Sequence, residues 1–153
     1  MDAFSSGAYE AIRRHISLFF RSLDERVFDE QWARAFFTDD IRAVTPLGTA
    51  DGIDAVRRDT ATAIGRFART QHVSTDVLTD LTAGGREAEA GWNAVMIHVH
   101  SEETLRARGV GAPPVFTVGG RCTARLVRTD DGWRFARTTI EPLWTTGEPP
   151  VLD

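Results

Sequence analysis

The hydrophobic residues change their spacing once along this chain, and that change sets the fold class. Up to Phe67 they recur at intervals of three and four. From His72 onward they lie in long runs rich in β-formers, separated by turn signals. Tyr9, Ile12, Ile16, Phe19, Phe20 and Leu23 form one stripe with Arg13, Arg14 and Arg21 between them, which predicts an amphipathic first helix. Phe28 to Phe37 continues as helix, with Phe28, Trp32, Ala35 and Phe36 on one side, and Asp39-Asp40 reads as its polar stop. Ile41 to Thr45 reads as a short strand ending in a turn at Pro46. Asp51-Gly52 opens a third helix carrying Ile53, Val56, Thr60, Ile64 and Phe67.

The second half predicts four strands: His72 to Leu81, Glu87 to His100, Val115 to Arg128 and Trp133 to Ile140. Ala83-Gly84-Gly85-Arg86 turns between the first two. Thr129-Asp130-Asp131-Gly132 is a hairpin turn between the last two, and Ser101 to Pro114 reads as a polar loop. Helices followed by antiparallel strands is an α+β order. A long twisted sheet can curl around such helices and leave part of its hollow side unfilled. Gly119-Gly120 predicts a bulge that bends the sheet. It is not a phosphate loop, since no strand–glycine–helix order surrounds it.

The chain has 153 residues, the size of one domain, and about two-fifths of them are apolar, enough for a core without metals or disulfides. A formal charge of −4, from 22 acidic and 18 basic residues, argues against nucleic acid as a partner. Cys122 is the single cysteine, so no disulfide forms within the chain and a reducing compartment is expected. Met1 to Gly7 lacks the basic-then-apolar pattern of a signal peptide, and no apolar run approaches the roughly 20 residues that span a bilayer. A cytoplasmic protein with no membrane partner is therefore expected. Glu148 to Asp153 is Pro-rich, which predicts a domain over residues 1–147 and a flexible tail over 148–153.

Four stretches in order carry a resemblance. They are Leu23-Asp24-Glu25-Arg26 with Phe28 and Phe36 to Asp40; Gly52-Ile53-Asp54-Ala55-Val56; Thr70-Gln71-His72; and Gly119 to Trp144, including Asp131-Gly132-Trp133-Arg134-Phe135 and Pro142-Leu143-Trp144. Together they resemble the SnoaL-like and scytalone-dehydratase-like branch of the nuclear-transport-factor-2-like superfamily. The resemblance covers nearly the whole chain. It implies a cone-shaped α+β fold, with a curved, mixed or antiparallel sheet around three N-terminal helices and a pocket inside. The superfamily holds dehydratases, cyclases, isomerases, epoxide hydrolases and non-catalytic binders, so fold alone does not give the reaction. The resemblance further implies that no cofactor is needed, that the partner is a small apolar molecule, and that the chain forms a homodimer.

Scytalone dehydratase implies an acid–base set that falls here on Asp24, His72 and His98. Leu23, Val44 and a position near Thr123 or Ala124 stand where that enzyme has two tyrosines and an asparagine. What carries over is thus the acid–base core, turned to another substrate. Asp24 lies at the end of the first helix, where a partly desolvated carboxylate can share a proton with an imidazole; a solvated helix end is the plain alternative. His72 opens a strand, and a neutral imidazole suits eliminations and enolisations near pH 7, although a histidine hydrogen-bonded to a neighbouring strand looks the same in sequence.

His98 and His100 share one side of their strand with Trp92, Ala94 and Met96, an apolar stripe with a titratable end. The opposite stripe of Asn93, Val95, Ile97 and Val99 fits a packed face equally, so parity leaves the choice open. Phe20, Val44, Trp92, Met96, His100, Phe116 and Val118 are candidate substrate contacts, with His100 at the rim. His72, His98 and His100 supply three imidazoles, yet no suitably placed Glu or fourth His accompanies them, and no metal site is predicted. Cys122 reads as a buried structural thiol, and Trp32, Trp133 and Trp144 as core.

The expected activity is a cofactor-free dehydratase, cyclase or isomerase acting on an aromatic or polyketide-like metabolite. A shape-directed cyclase or pericyclase and a non-catalytic, ligand-binding homodimer are the alternatives.

Overall fold

The computed structural model of the protein describes residues 3–82 and 84–152. Met1 and Asp2 of the N-terminal stretch, Ala83 of the expected turn and Asp153 of the expected tail lie outside the described residues.

The first stripe folds as α1 (Ala3–Glu25), which buries Ala8, Ile12, Ile16, Phe20 and Leu23 at helical spacing. Arg26 ends it in the left-handed region at φ 64°, and its N–H donates to the Ser22 carbonyl at 3.3 Å. Helix α2 (Glu30–Phe36) starts at Asp29, whose carboxylate accepts from the Trp32 N–H at 2.8 Å. The Trp32 indole donates to Ser22 Oγ at 2.8 Å and Ser22 donates to the Phe19 carbonyl at 2.6 Å, locking α2 onto α1.

The helix stops sooner than its expected polar brake. Phe37 already begins β1 (Phe37–Thr45), and Asp39-Asp40 lie inside that strand. Burial of Phe37 and Ile41, 4% and 0% exposed, draws the segment into the sheet and overrides the polar pair. Two elements were not anticipated. Gly48 to Asp51 forms the short edge strand β2 (Gly48–Asp51), and the loop after the second long strand contains α4 (Glu102–Arg108). Helix α3 (Ile53–Gly65) follows Gly52 as expected.

The long strands are β3 (Arg69–Leu81), β4 (Glu87–Val99), β5 (Val115–Thr129) and β6 (Gly132–Thr146). The six strands make one open mixed sheet in the order β2-β1-β6-β5-β4-β3. Among the described residues only the β1–β6 pairing is parallel. The expected bulge falls between Gly119 and Gly120, which face Trp144 and Pro142 on β6 and leave Leu143 as the extra residue. A side chain at Gly119 would overlap the Trp144 indole, which is 50% exposed and not in the core where sequence placed it. One sheet face packs on α1 through Ala88, Ala90, Trp92, Ala94, Ala124, Leu126, Trp133 and Phe135. No helix among the described residues is long and apolar enough to cross a membrane.

Arg26 then joins the helical layer to the sheet entrance. Its guanidinium donates to the carbonyls of Ile64, Phe67 and Ala68 at 3.0, 2.8 and 2.8 Å, closing the end of α3. Arg26→Ala should therefore lower unfolding stability by about 2 kcal/mol, read as a lower urea midpoint at unchanged slope.

A second buried group sets acid tolerance. His15, on α1, lies between Phe36 and Phe135 with ring centroids 5.3 and 4.7 Å away, and its Nε2 faces the Phe36 carbonyl at 3.3 Å. Burial, opposed by that hydrogen bond and reinforced by the Arg134 charge, pushes its pKa from 6.5 down to about 4. The folded state keeps the ring neutral where the unfolded chain takes up a proton. The stability it contributes is whole above pH 6.5 and is lost as pH falls toward 4, on the order of 3 kcal/mol in all. Chemical denaturation from pH 7 to 4.5 should show this loss, and His15→Leu should flatten the slope.

Candidate active site

The site grows from the last turn of α1. An Asp at a helix C-terminus opposes the macrodipole, so its carboxylate needs compensating donors, and Asp24 finds three. Its Oδ2 accepts from the His72 N–H at 2.9 Å. Its Oδ1 accepts from Thr70 Oγ1 at 2.9 Å and lies 2.7 Å from His72 Nδ1. Thr70 and His72 are two apart on β3, so their side chains leave the same face and reach one carboxylate.

The His72 side chain is 4% exposed and Asp24 25%. Because a carboxylate accepts, His72 carries its proton on Nδ1 and turns an Nε2 lone pair away from Asp24. Burial lowers the His72 pKa below 6.5, opposed by the hydrogen bond to Asp24 and by its charge. The ring is thus neutral at pH 7 and held in one tautomer.

His98 stands beside it, with ring centroids 5.7 Å apart and planes nearly perpendicular at 88°. Its Nδ1 faces the Phe116 carbonyl at 3.0 Å, which fixes the same tautomer. Burial again lowers its pKa, opposed by that bond and reinforced by His72 and His100. Phe67 packs on the ring at 4.5 Å.

Both imidazoles line a chamber of about 650 Å³, within the usual range of small-molecule sites of roughly 300–1,000 Å³. Of the expected contacts, Phe20, Trp92, Met96, Phe116 and Val118 line it too. β4 therefore turns its Trp92–Met96–His98 side inward, which settles the parity that periodicity left open. Asp24 does not line the chamber; it is joined to the lining through His72.

Val44 and His100 lie elsewhere. Ala43 and Thr45 line the chamber, so Val44 between them faces the other side of β1. His100 is 3% exposed, does not line the chamber, and places Nε2 2.8 Å from the Glu148 carbonyl. It buttresses the start of the tail, where Arg108 also donates to the Pro149 carbonyl at 2.6 Å and pairs with Glu148 at 3.5 Å. Among the described residues no three His, Cys, Asp or Glu side chains converge as a metal site.

Residues 5–139 match the SnoaL-like domain family. The chain belongs to that family. No curated protein matches it by sequence. Solved structures of the same shape include a protein of Novosphingobium aromaticivorans named for scytalone dehydratase, 24% identical over 97% of this chain and 93% of that one, with a TM-score of 0.81. A hexachlorocyclohexane dehydrochlorinase, LinA-type3 of Novosphingobium barchaimii, is 15% identical over 99% and 97% of the two chains, with a TM-score of 0.76. A nuclear-transport-factor-2-like superfamily protein of Salmonella enterica is 16% identical over 94% and 96%, with a TM-score of 0.74. The SnoaL-like chain thus has the α+β cone fold of that superfamily.

Sequence reading missed Thr70 as a support of Asp24 and Phe67 as a support of His98. Thr70 was open to discovery, since it shares the His72 face. Phe67 was not, because nothing local joins the end of α3 to β4. Cys122 faces the chamber, 2% exposed, and burial pushes its thiol up to about 12. The native protein should resist iodoacetamide at pH 8 and alkylate fully once unfolded in urea. Rapid alkylation of the folded protein, by mass spectrometry, would contradict this.

Proposed function

We propose that this SnoaL-like protein is a cofactor-free acid–base enzyme, a lyase or isomerase of dehydratase or cyclase type, acting on a small, largely apolar molecule. One observation carries the reading: the 2.7 Å contact between Asp24 Oδ1 and His72 Nδ1, at the wall of an apolar chamber. In this role Asp24 orients the ring and stabilises the imidazolium that forms when His72 Nε2 takes a proton.

The chemistry closes on one group. His72 Nε2 removes a proton from carbon beside a carbonyl, and the C–H electron pair becomes an enolate. In a dehydration the enolate collapses to the alkene and the C–O bond breaks. The same imidazolium hands its proton to the departing hydroxyl, giving water and a neutral ring. In an isomerisation it returns the proton to a different carbon. His98, neutral and with Nδ1 tied to Phe116, has an Nε2 lone pair to accept a hydrogen bond from a substrate hydroxyl and hold it in place. The apolar walls exclude water and fix the approach. Dehydration and dehydrochlorination, named for two proteins of the same fold, are both eliminations that remove a proton from carbon, in keeping with this reading.

The test does not need the natural substrate. The protein should accelerate exchange of the α-protons of 2-tetralone in D2O, followed by NMR. His72→Ala should lose that acceleration, and Asp24→Asn should reduce it about 10²-fold or more. The rate should hold to below pH 6.5 and fall as His72 gains its proton. In Asp24→Asn that fall should move to lower pH, because the carboxylate raises the His72 pKa. No acceleration by the wild-type protein, or a fully active His72→Ala, defeats the proposal.

A further inference from the structure

We propose that Arg66 is the anion-recognising group of the chamber, and that the substrate is a largely apolar molecule bearing a carboxylate. The inference rests on the chamber being a substrate site. Arg66 follows the last residue of α3 and lines the chamber. Its Nε is sealed from solvent without a partner, and no described residue takes a hydrogen bond or ion pair from its terminal nitrogens.

Arg57 has a likewise sealed Nε without a partner but does not line the chamber, whereas several other arginines are engaged. Arg26 holds three carbonyls, Arg42 pairs with Asp51, Arg108 with Glu148 and Arg125 with Glu87. Nor does the helix end need Arg66, since Arg26 already takes the carbonyls of Ile64, Phe67 and Ala68. A half-buried guanidinium with no partner on an apolar wall is unfavourable until an acceptor arrives.

Position selects the acceptor. Phe67, the next residue, packs on His98 at 4.5 Å, so Arg66 borders the wall that carries the imidazoles. One planar fork suits the two oxygens of a carboxylate. A phosphate dianion would call for a second cation, and among the described residues the other formally charged lining residue is the exposed Asp59, two turns back on α3. The imidazole Nε2 atoms at the inner wall only accept at pH 7, which places the anion at Arg66 and the neutral, reacting part of the molecule at His72.

Isothermal titration with 2-naphthoate and its neutral counterpart 2-(hydroxymethyl)naphthalene tests this. Wild-type protein should bind the acid about tenfold or more tightly than the alcohol. Arg66→Met should erase that preference with little change for the alcohol, and Arg66→Lys should keep part of it. Because the side chain has no hydrogen-bond or ion-pair partner among the described residues, both variants should unfold near the wild-type urea midpoint. His72→Ala should keep the preference, which separates anion recognition from the acid–base reading. Equal affinities in the wild type, or a preference that survives Arg66→Met, overturns the proposal. If neither probe binds, the chamber fails as a substrate site and the proposal fails with it.

Discussion

Everything at the working end of this protein depends on how one carboxylate is satisfied. Asp24 sits where the helix field repels it, one residue from the end of α1. It is stable there because β3 brings two donors from Thr70 and His72 and an imidazole N–H to meet it. The tie is therefore structural and chemical at once. It fixes the approach of α1 to the first long strand, and the same bonds choose the tautomer of His72. Arg26, two residues on, gathers the carbonyls at the end of α3 from the other side. Three chain segments thus converge within a few residues of a helix end, and the chamber opens where they meet.

The chamber exists because helix and sheet are unequally matched. Where α1 crosses the sheet, small residues face it: Ala88, Ala90, Ala94 and Ala124, all 5% exposed or less. They share one core cluster with Ile12, Ile16, Leu126 and Phe135, each 0% exposed. Along β4 and β5 the pattern changes to Met96, His98, Phe116 and Val118, past the end of the helical stripe. There the wall is made of larger side chains, and α3 and the tail line other sides of the same chamber. The Gly119-Gly120 bulge lies in that part of the sheet. A solid core and a hollow one thus occupy a single sheet face.

Much of this was legible in the chain, and the remainder was hidden for identifiable reasons. Long elements that bury one face announce themselves, so α1, α3 and the four long strands were evident from spacing and turns. Helix α4 was not, because none of its residues is buried and no apolar stripe exists to find. Its signal lay in the cap instead: Ser101 accepts from the Thr104 N–H at 3.1 Å, with acids in the first turn and arginines in the last. The strand β2 is four residues at a sheet edge, mostly exposed, which leaves no alternation to read. Asp24, His72 and His98 came to attention through family resemblance. Helix and strand patterns say which face a residue takes, but not which faces meet. The same limit explains His100, which follows the inward stripe in sequence but leaves it at the strand end to hold the tail.

The imidazoles are tuned by two opposed effects, and their balance decides what the site can do. Asp24 favours a charged His72, and the Phe116 carbonyl favours a charged His98. Burial disfavours both and prevails in each case. Had the hydrogen bonds won, the chamber would hold imidazolium ions at neutral pH and would suit acid catalysis. Since burial wins, it holds two neutral rings with Nδ1 spoken for and Nε2 lone pairs free. Proximity strengthens that outcome, because a proton on one ring repels a proton on the other. The inner wall accordingly offers neutral lone pairs at pH 7. A reaction that lifts a proton from carbon and sets the same proton down elsewhere is the kind this arrangement favours, since it asks for no more than that single proton.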